Sequence, residues 1–298
     1  MKQWHPIFAQ LLRPLVEDYY EVQTTVPVGD APREADILLL RRLGRGTPPF
    51  QGLWRHLTSW NVLEFKGPTV SPRRGDVELL VELGLGIDRR LRRTVAGGRS
   101  IPEAAVSFWY LANRLGTRFI HNITRRMRVL EQLGPGLWRG ELLGRGVYWA
   151  SSVDLPVEPD ALPLHIVGQE PLEKEREAAR LIAARPELQT VYSGWMASLH
   201  AAAWKEVEEM ARTKGKPFVL DVRPAIESLG LKKVIEQVGL DRVIEAVGRD
   251  RVIEAVGMEK LMENVDERDV IKHFGVRRLF ANLSPADRRE LKRQLEAE

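Results

Sequence analysis

Beyond Asp221 the chain repeats itself every nine residues, and that period is incompatible with one long helix. The units run Ile226-Glu-Ser-Leu-Gly, Ile235-Glu-Gln-Val-Gly, Ile244-Glu-Ala-Val-Gly, Ile253-Glu-Ala-Val-Gly, Met262-Glu-Asn-Val-Asp, Ile271-Lys-His-Phe-Gly and Phe280-Ala-Asn-Leu-Ser. Val234, Val243, Val252, Leu261, Val270 and Leu279 stand between them. At about 100° per residue, each repeat turns an apolar face half a circle, so the glycine must break the helix. A segment such as Asp241 to Val247 makes about two turns, with Asp241 placed to cap its start and Gly248 to close its end. Helices this short cannot bury a face alone. The expectation is an all-helical C-terminal extension of stacked nine-residue repeats over residues 223–298, serving partner binding, homo-oligomerisation or spacing.

Ahead of it, residues 169–222 read as a helical connector. One helix spans Leu172 to Arg185 and stops at Pro186, and a second spans Thr190 to Lys214 and stops at Gly215-Lys216-Pro217.

Residues 1–168 have the pattern of an α/β domain with a mixed central sheet flanked by helices. Ile7, Phe8, Leu11, Leu12, Leu15, Val16 and Tyr19 recur at helical spacing between His5 and Tyr20. Glu21 to Val28 is β-rich and ends in the turn cluster Gly29-Asp30-Ala31-Pro32. Ala35 to Leu40 and Trp60 to Phe65 read as buried strands, joined by a long connection that Thr47-Pro48-Pro49-Phe50 keeps irregular. A helix follows from Asp76 to Arg93, then a strand from Ala104 to Leu111 and a basic amphipathic stretch. Short β segments at Val147–Ser151 and Leu164–Val167 complete the domain.

Composition excludes several kinds of chemistry. With no cysteine, disulfides, thiolate zinc sites, iron–sulfur clusters and thiol catalysis are ruled out. No apolar run approaches the roughly 20 residues that span a bilayer, and the residues from Met1 to Pro6 lack a signal-like apolar core, so no membrane association and a cytoplasmic location are expected. The formal charge of +4 suits a polyanionic partner, and the arginines cluster. They group at Arg41, Arg42, Arg45 and Arg55, at Arg73 and Arg74, from Arg89 to Arg99, and at Arg125, Arg126 and Arg128. Such groups either form a solvated surface or, where they converge on one face, bind phosphates.

The residues that could carry chemistry are Glu64-Phe65-Lys66 and, on the neighbouring strand, Asp36. Strand side chains alternate, so Glu64 and Lys66 share one face about 7 Å apart while Phe65 points to the other. Asp36, on a strand roughly 4.8 Å away, could share a cation with Glu64. Two carboxylates among apolar strand residues repel and are costly to desolvate, and a divalent metal relieves both penalties. Oxygen-only ligands favour Mg2+ or Mn2+, which acidify a bound water, and Lys66 would orient that water or offset charge in the transition state. A purely structural use of the same residues would be ion pairing of Asp36 and Glu64 with Lys66 and nearby arginines. The six histidines lack metal-ligand spacing and read as packing or surface residues. No phosphate loop or Gly-x-Ser-x-Gly elbow is present.

In this arrangement the chain resembles the PD-(D/E)XK nuclease superfamily, in which a helix, a strand hairpin and a further helix frame D…(D/E)xK. Within it, the likeness is to the Rpn-like recombination-promoting nuclease and transposase-like group. The resemblance covers residues from Pro6 to Leu111, with Glu34-Ala35 where the signature's proline would stand. It implies a restriction-endonuclease-like core, Asp36, Glu64 and the Phe65 carbonyl as metal ligands, Lys66 as the catalytic lysine, and Glu17 as an added acid from the first helix. The implied activity is Mg2+-dependent hydrolysis of DNA phosphodiesters. The alternative is a catalytically inactive nucleic-acid-binding or oligomerising scaffold that retains the fold.

Overall fold

The computed structural model describes residues 4–24, 26–28, 33–35, 38–44, 46–73, 75–94, 102–125, 127, 130–213 and 220–247. The chain divides into two compact units, Met1–Gly239 and Leu240–Glu298. In chain order the first holds α1 (Trp4–Val16), β1 (Tyr20–Gln23), β2 (Val26–Val28), β3 (Arg33–Ala35), β4 (Leu38–Arg42), β5 (Trp60–Lys66), α2 (Gly75–Thr94), β6 (Val106–Ala112), α3 (Thr117–Thr124), β7 (Leu130–Gly134), β8 (Leu137–Leu142) and β9 (Arg145–Ser151). The helices α4 (Leu162–Val167), α5 (Leu172–Ala184), α6 (Pro186–Leu199), α7 (Ala201–Thr213), α8 (Arg223–Leu229) and α9 (Leu231–Val238) follow, and α10 (Leu240–Val247) opens the second unit.

The expected mixed α/β architecture is present. Seven strands form one sheet in the order β1-β4-β5-β6-β9-β8-β7. Its centre is parallel, β5 with β6 and β6 with β9, and both flanks are antiparallel. Parallel strands need a crossover, and α2 and α3 supply it by packing on one sheet face. There Val77, Leu80, Ile87, Leu91, Phe119 and Ile123 close over Val62, Phe108, Tyr110, Val147 and Trp149. On the other face Phe65 stacks on Phe8 of α1 at 4.6 Å, and Trp109 stacks on Tyr148 at 4.3 Å. Strands buried on both faces read as continuous apolar runs, which is why β6 was legible in sequence.

The helical layer is tied to the sheet by polar contacts. Lys174 of α5 donates to the carbonyls of Ser152, Val153 and Leu155, just beyond β9. The His200 ring bridges the Glu175 carboxylate at 2.9 Å and the Ile166 carbonyl at 2.8 Å. Tyr192 of α6 donates to the Leu11 carbonyl at 3.3 Å. Gly194 admits a close backbone approach, for a Cβ there would stand 1.8 Å from the Asp221 carbonyl oxygen.

Several local expectations are corrected. The opening helix ends at Val16 rather than Tyr20, because Pro14 weakens its last turn and Tyr20 is buried instead as the first residue of β1. The segment from Glu21 to Val28 is two strands, and β2 pairs with β3 in a separate two-stranded sheet. Pro27 cannot donate to a ladder, which suits such an edge position. Leu164–Val167 belongs to α4, not to a strand. Every residue of α4 is buried, so it has no polar face from which a helical period could be read. The helix expected over Thr190–Lys214 is α6 and α7, interrupted at His200, and α6 begins at Pro186 itself, where proline fits the first turn. The β7–β8 and β8–β9 hairpins were not foreseen, since their strands mix polar and apolar residues.

In the nine-residue segment, α8, α9 and α10 are separated by Gly230 at φ 83° and Gly239 at φ 98°. Positive φ is the conformation glycine adopts without strain. Asp241 lies in the first turn of α10 rather than ahead of it. Gly248 and the later units lie outside the described residues. No helix among the described residues is long and apolar enough to cross a membrane.

The turn between β8 and β9 places Leu143 at φ 51° and Gly144 at φ 74°, as a two-residue hairpin of this twist requires. Leu143 is 65% exposed, so its side chain contributes little packing to offset the backbone cost. Leu143→Asn is expected to stabilise the fold by about 1 kcal/mol. A higher urea midpoint at unchanged slope would show this, and an unchanged or lower midpoint would contradict it.

Candidate active site at the carboxyl end of the parallel strands

The alternation of β5 sends Phe65 to the α1 face and Glu64 and Lys66 to the face under α2. Lys66 Nζ lies 2.7 Å from Glu64 Oε1 and 3.8 Å from Asp76 Oδ1. Asp76 sits in the first turn of α2, where its Oδ2 accepts the Arg73 backbone N–H at 2.8 Å. The same oxygen accepts the Tyr110 hydroxyl at 2.7 Å. Tyr110 stands beside Glu64 in the parallel register of β5 and β6, and its ring stacks on Phe119 of α3 at 5.3 Å. One carboxylate of the cluster therefore comes from a strand and the other from a helix start. The crossover from β5 through α2 to β6 brings them together.

Ligand crevices of open α/β sheets form at carboxyl strand ends where consecutive connections leave toward opposite faces. Here α2 and α3 lie on one face, so the cluster sits at a carboxyl strand end without such a switch point. Directly after Lys66, a Cβ at Gly67 would stand 2.4 Å from the Trp4 ring, so glycine there lets the start of α1 pack against the strand end. The ionic side chains are 9% exposed for Glu64, 16% for Lys66 and 14% for Asp76, so they are sheltered yet reachable from solvent. Two carboxylates and one ammonium leave a net negative centre. Tyr110 responds to it. Burial pushes its hydroxyl well above the usual phenol range, and the hydrogen bond to Asp76 and the charges of Asp76 and Glu64 push the same way.

Of the residues singled out in the sequence, Glu64 and Lys66 are brought together. Asp36 lies outside the described residues. Phe65 is buried, with its side chain facing away from the ionic pair. Glu17 is exposed just past the end of α1, whereas the start of that helix, Trp4, packs beside Gly67. The length of α1, roughly 20 Å, separates Glu17 from Lys66, so it does not join the cluster. Asp76 and Tyr110 were missed. The one available signal was an acid opening a helix just after Arg73, because cross-strand register cannot be read from composition.

The arginines do not all converge on this site. Arg41 pairs with Glu21 at 2.6 Å, and Arg92 and Arg145 both bind the buried Asp88 near the far end of α2. Arg45, Arg74, Arg99, Arg126 and Arg128 lie outside the described residues. Among the histidines, His165 is buried between Glu170 and the Pro156 carbonyl, and His56 stacks on Tyr148. Among the described residues no group of three or more His, Asp or Glu side chains is arranged to hold a metal. The oxygen donors of Glu64 and Asp76 are of the kind that Mg2+ prefers. Comparison of the chain with known family models, curated proteins and solved structures finds no match.

Tyr110→Phe removes a hydrogen bond to a charged acceptor and is expected to cost about 1.5–3 kcal/mol at neutral pH. The raised Tyr110 pKa contributes stability that is present below the unfolded value near 10.0 and is lost as pH rises above it. The variant should therefore lose less stability on the alkaline side, by about 1.4 kcal/mol in total between pH 9 and pH 11 in urea titrations. Parallel pH profiles for both proteins would contradict this.

Proposed function

We propose that the chain is a metal-dependent nuclease of the PD-(D/E)XK kind that hydrolyses DNA phosphodiester bonds. The observation that carries this reading is the Glu64–Lys66 pair, 2.7 Å apart on one strand face, at the carboxyl end of the central parallel strands. In this reading Glu64, Asp36 and the Phe65 carbonyl hold a Mg2+ ion. The bound ion supplies an acidified water and a counter-charge for the non-bridging oxygens. Lys66 would offset charge that develops on the phosphate. Asp76, fixed through Tyr110 and the Arg73 backbone, limits where the Lys66 ammonium can go. A cytoplasmic setting and homo-oligomerisation through the repeats belong to the same proposal.

One observation favours the rival reading of a silent nucleic-acid-binding protein. The ammonium already neutralises Glu64 directly, as a purely structural ion pair would. Plasmid and single-stranded DNA cleavage by the wild type and by Lys66→Gln, with Mg2+ or EDTA, separates the two. The expected result is metal-dependent cutting that falls by on the order of a hundredfold or more in Lys66→Gln, with DNA binding retained. Absence of metal-dependent cutting by the folded wild type would sink the nuclease reading.

A further inference from the structure

Between Glu103 and Glu131 the chain contains no acidic residue, while Arg114, Arg118, His121, Arg125, Arg126 and Arg128 fall within that span. Surface helices of soluble proteins ordinarily mix both signs, because unmixed charge repels itself. In the structure α3 buries Phe119 and Ile123 and exposes Arg118, His121 and Arg125. These three follow i, i+3, i+7 spacing and form one basic stripe along the solvent side. Arg114, also exposed, precedes the helix in the loop leaving β6.

The stripe begins just past the carboxyl end of β6, the strand beside Lys66. Ala112 lies beside Lys66 in the parallel register, and Arg114 is two residues further on. Phe119, next to Arg118, stacks on the Tyr110 ring whose hydroxyl binds Asp76. Arg73, exposed, donates its backbone N–H to Asp76. Some arginines elsewhere are neutralised, Arg41 by Glu21, Arg145 by Asp88, Arg176 by Glu206 and Arg223 by Asp221. Among the described residues no carboxylate pairs with Arg73, Arg114, Arg118 or Arg125. The carboxylate of Asp154, which shares a groove with Thr117 and Ile120, is engaged by Ser151 Oγ at 2.6 Å.

We propose that the exposed face of α3, with Arg114 ahead of it, is the track on which the phosphate backbone of a nucleic-acid strand lies as it approaches Glu64 and Lys66. This deepens the nuclease reading and rests on it for the direction of the strand. The chemistry is that of guanidinium forks on successive phosphates, with release of condensed counterions. DNA and RNA strands share that chemistry.

The test is fluorescence anisotropy of labelled DNA and RNA 20-mers of one sequence, in EDTA and across a salt series, so that binding is read without cleavage. The Arg114→Ala/Arg118→Ala variant is expected to bind roughly tenfold or more weakly, with a salt slope shallower by about 1.4 on single strands. Arg114→Lys/Arg118→Lys retains charge and should retain most binding. Arg89→Ala, exposed on α2 about 20 Å along the helix from Asp76, should match the wild type. Equal losses on both strands indicate backbone contact without sugar preference, and a loss confined to one identifies the strand used. Unchanged affinity and slope in the doubly neutralised, folded variant would overturn the proposal, as would wild-type protein that binds neither strand. If the track variants lose binding while the wild type fails to cut with Mg2+, the surface stands and only the catalytic reading fails.

Discussion

The parallel pairing of β5 with β6 is the constraint on which the site depends. Parallel neighbours cannot be joined by a hairpin, so the chain must leave β5 at its carboxyl end, cross the sheet face and return. The helix α2 makes the crossing. The helix start then sits over the same end of the sheet as Glu64 and Lys66. Asp76 reaches Lys66 for that reason, and Tyr110 reaches Asp76 because β6 runs in register beside β5. An antiparallel arrangement would place the tyrosine, the helix start and the lysine at different ends.

Much of the frame was legible from the chain alone. β5, α2 and β6 follow from apolar runs and a helical period within a few residues of their observed ends. The shared face of Glu64 and Lys66 follows from strand alternation. The partners that complete the cluster did not follow, because Asp76 and Tyr110 are separated from Lys66 in sequence and meet it only through topology. The same limit applied to α4, whose complete burial removes the polar face that marks a helix. It also applied to the β7–β8–β9 hairpins, where Trp138 and Arg139 alternate as β residues do but beside glycines that read as loop. The placement of Glu17 away from Lys66 could not be read from sequence, because a helix pattern does not say which end of the sheet its terminus meets.

Charge is distributed with the same division of labour. Arg145 and Arg92 are spent on the buried Asp88 at the amino end of the parallel strands, where they lock α2 to β9. At the carboxyl end the acids are turned inward on Lys66, and the exposed surface of α3 is left basic. A negative centre beside a positive track is what a site acting on a polyanion by way of a cation requires. In the proposed reading the centre would attract the cation, and the track would offset repulsion between the centre and a polyanionic substrate.

The most direct measurement of the central claim is a crystal soaked with Mn2+ and recorded at a wavelength where manganese scatters anomalously. A metal held as proposed gives a peak at coordination distance from the Glu64 carboxylate, with the Lys66 ammonium withdrawn from Glu64 Oε1. Density in which Lys66 still holds Glu64 and no anomalous peak lies near either carboxylate, in crystals that retain the fold, would contradict it.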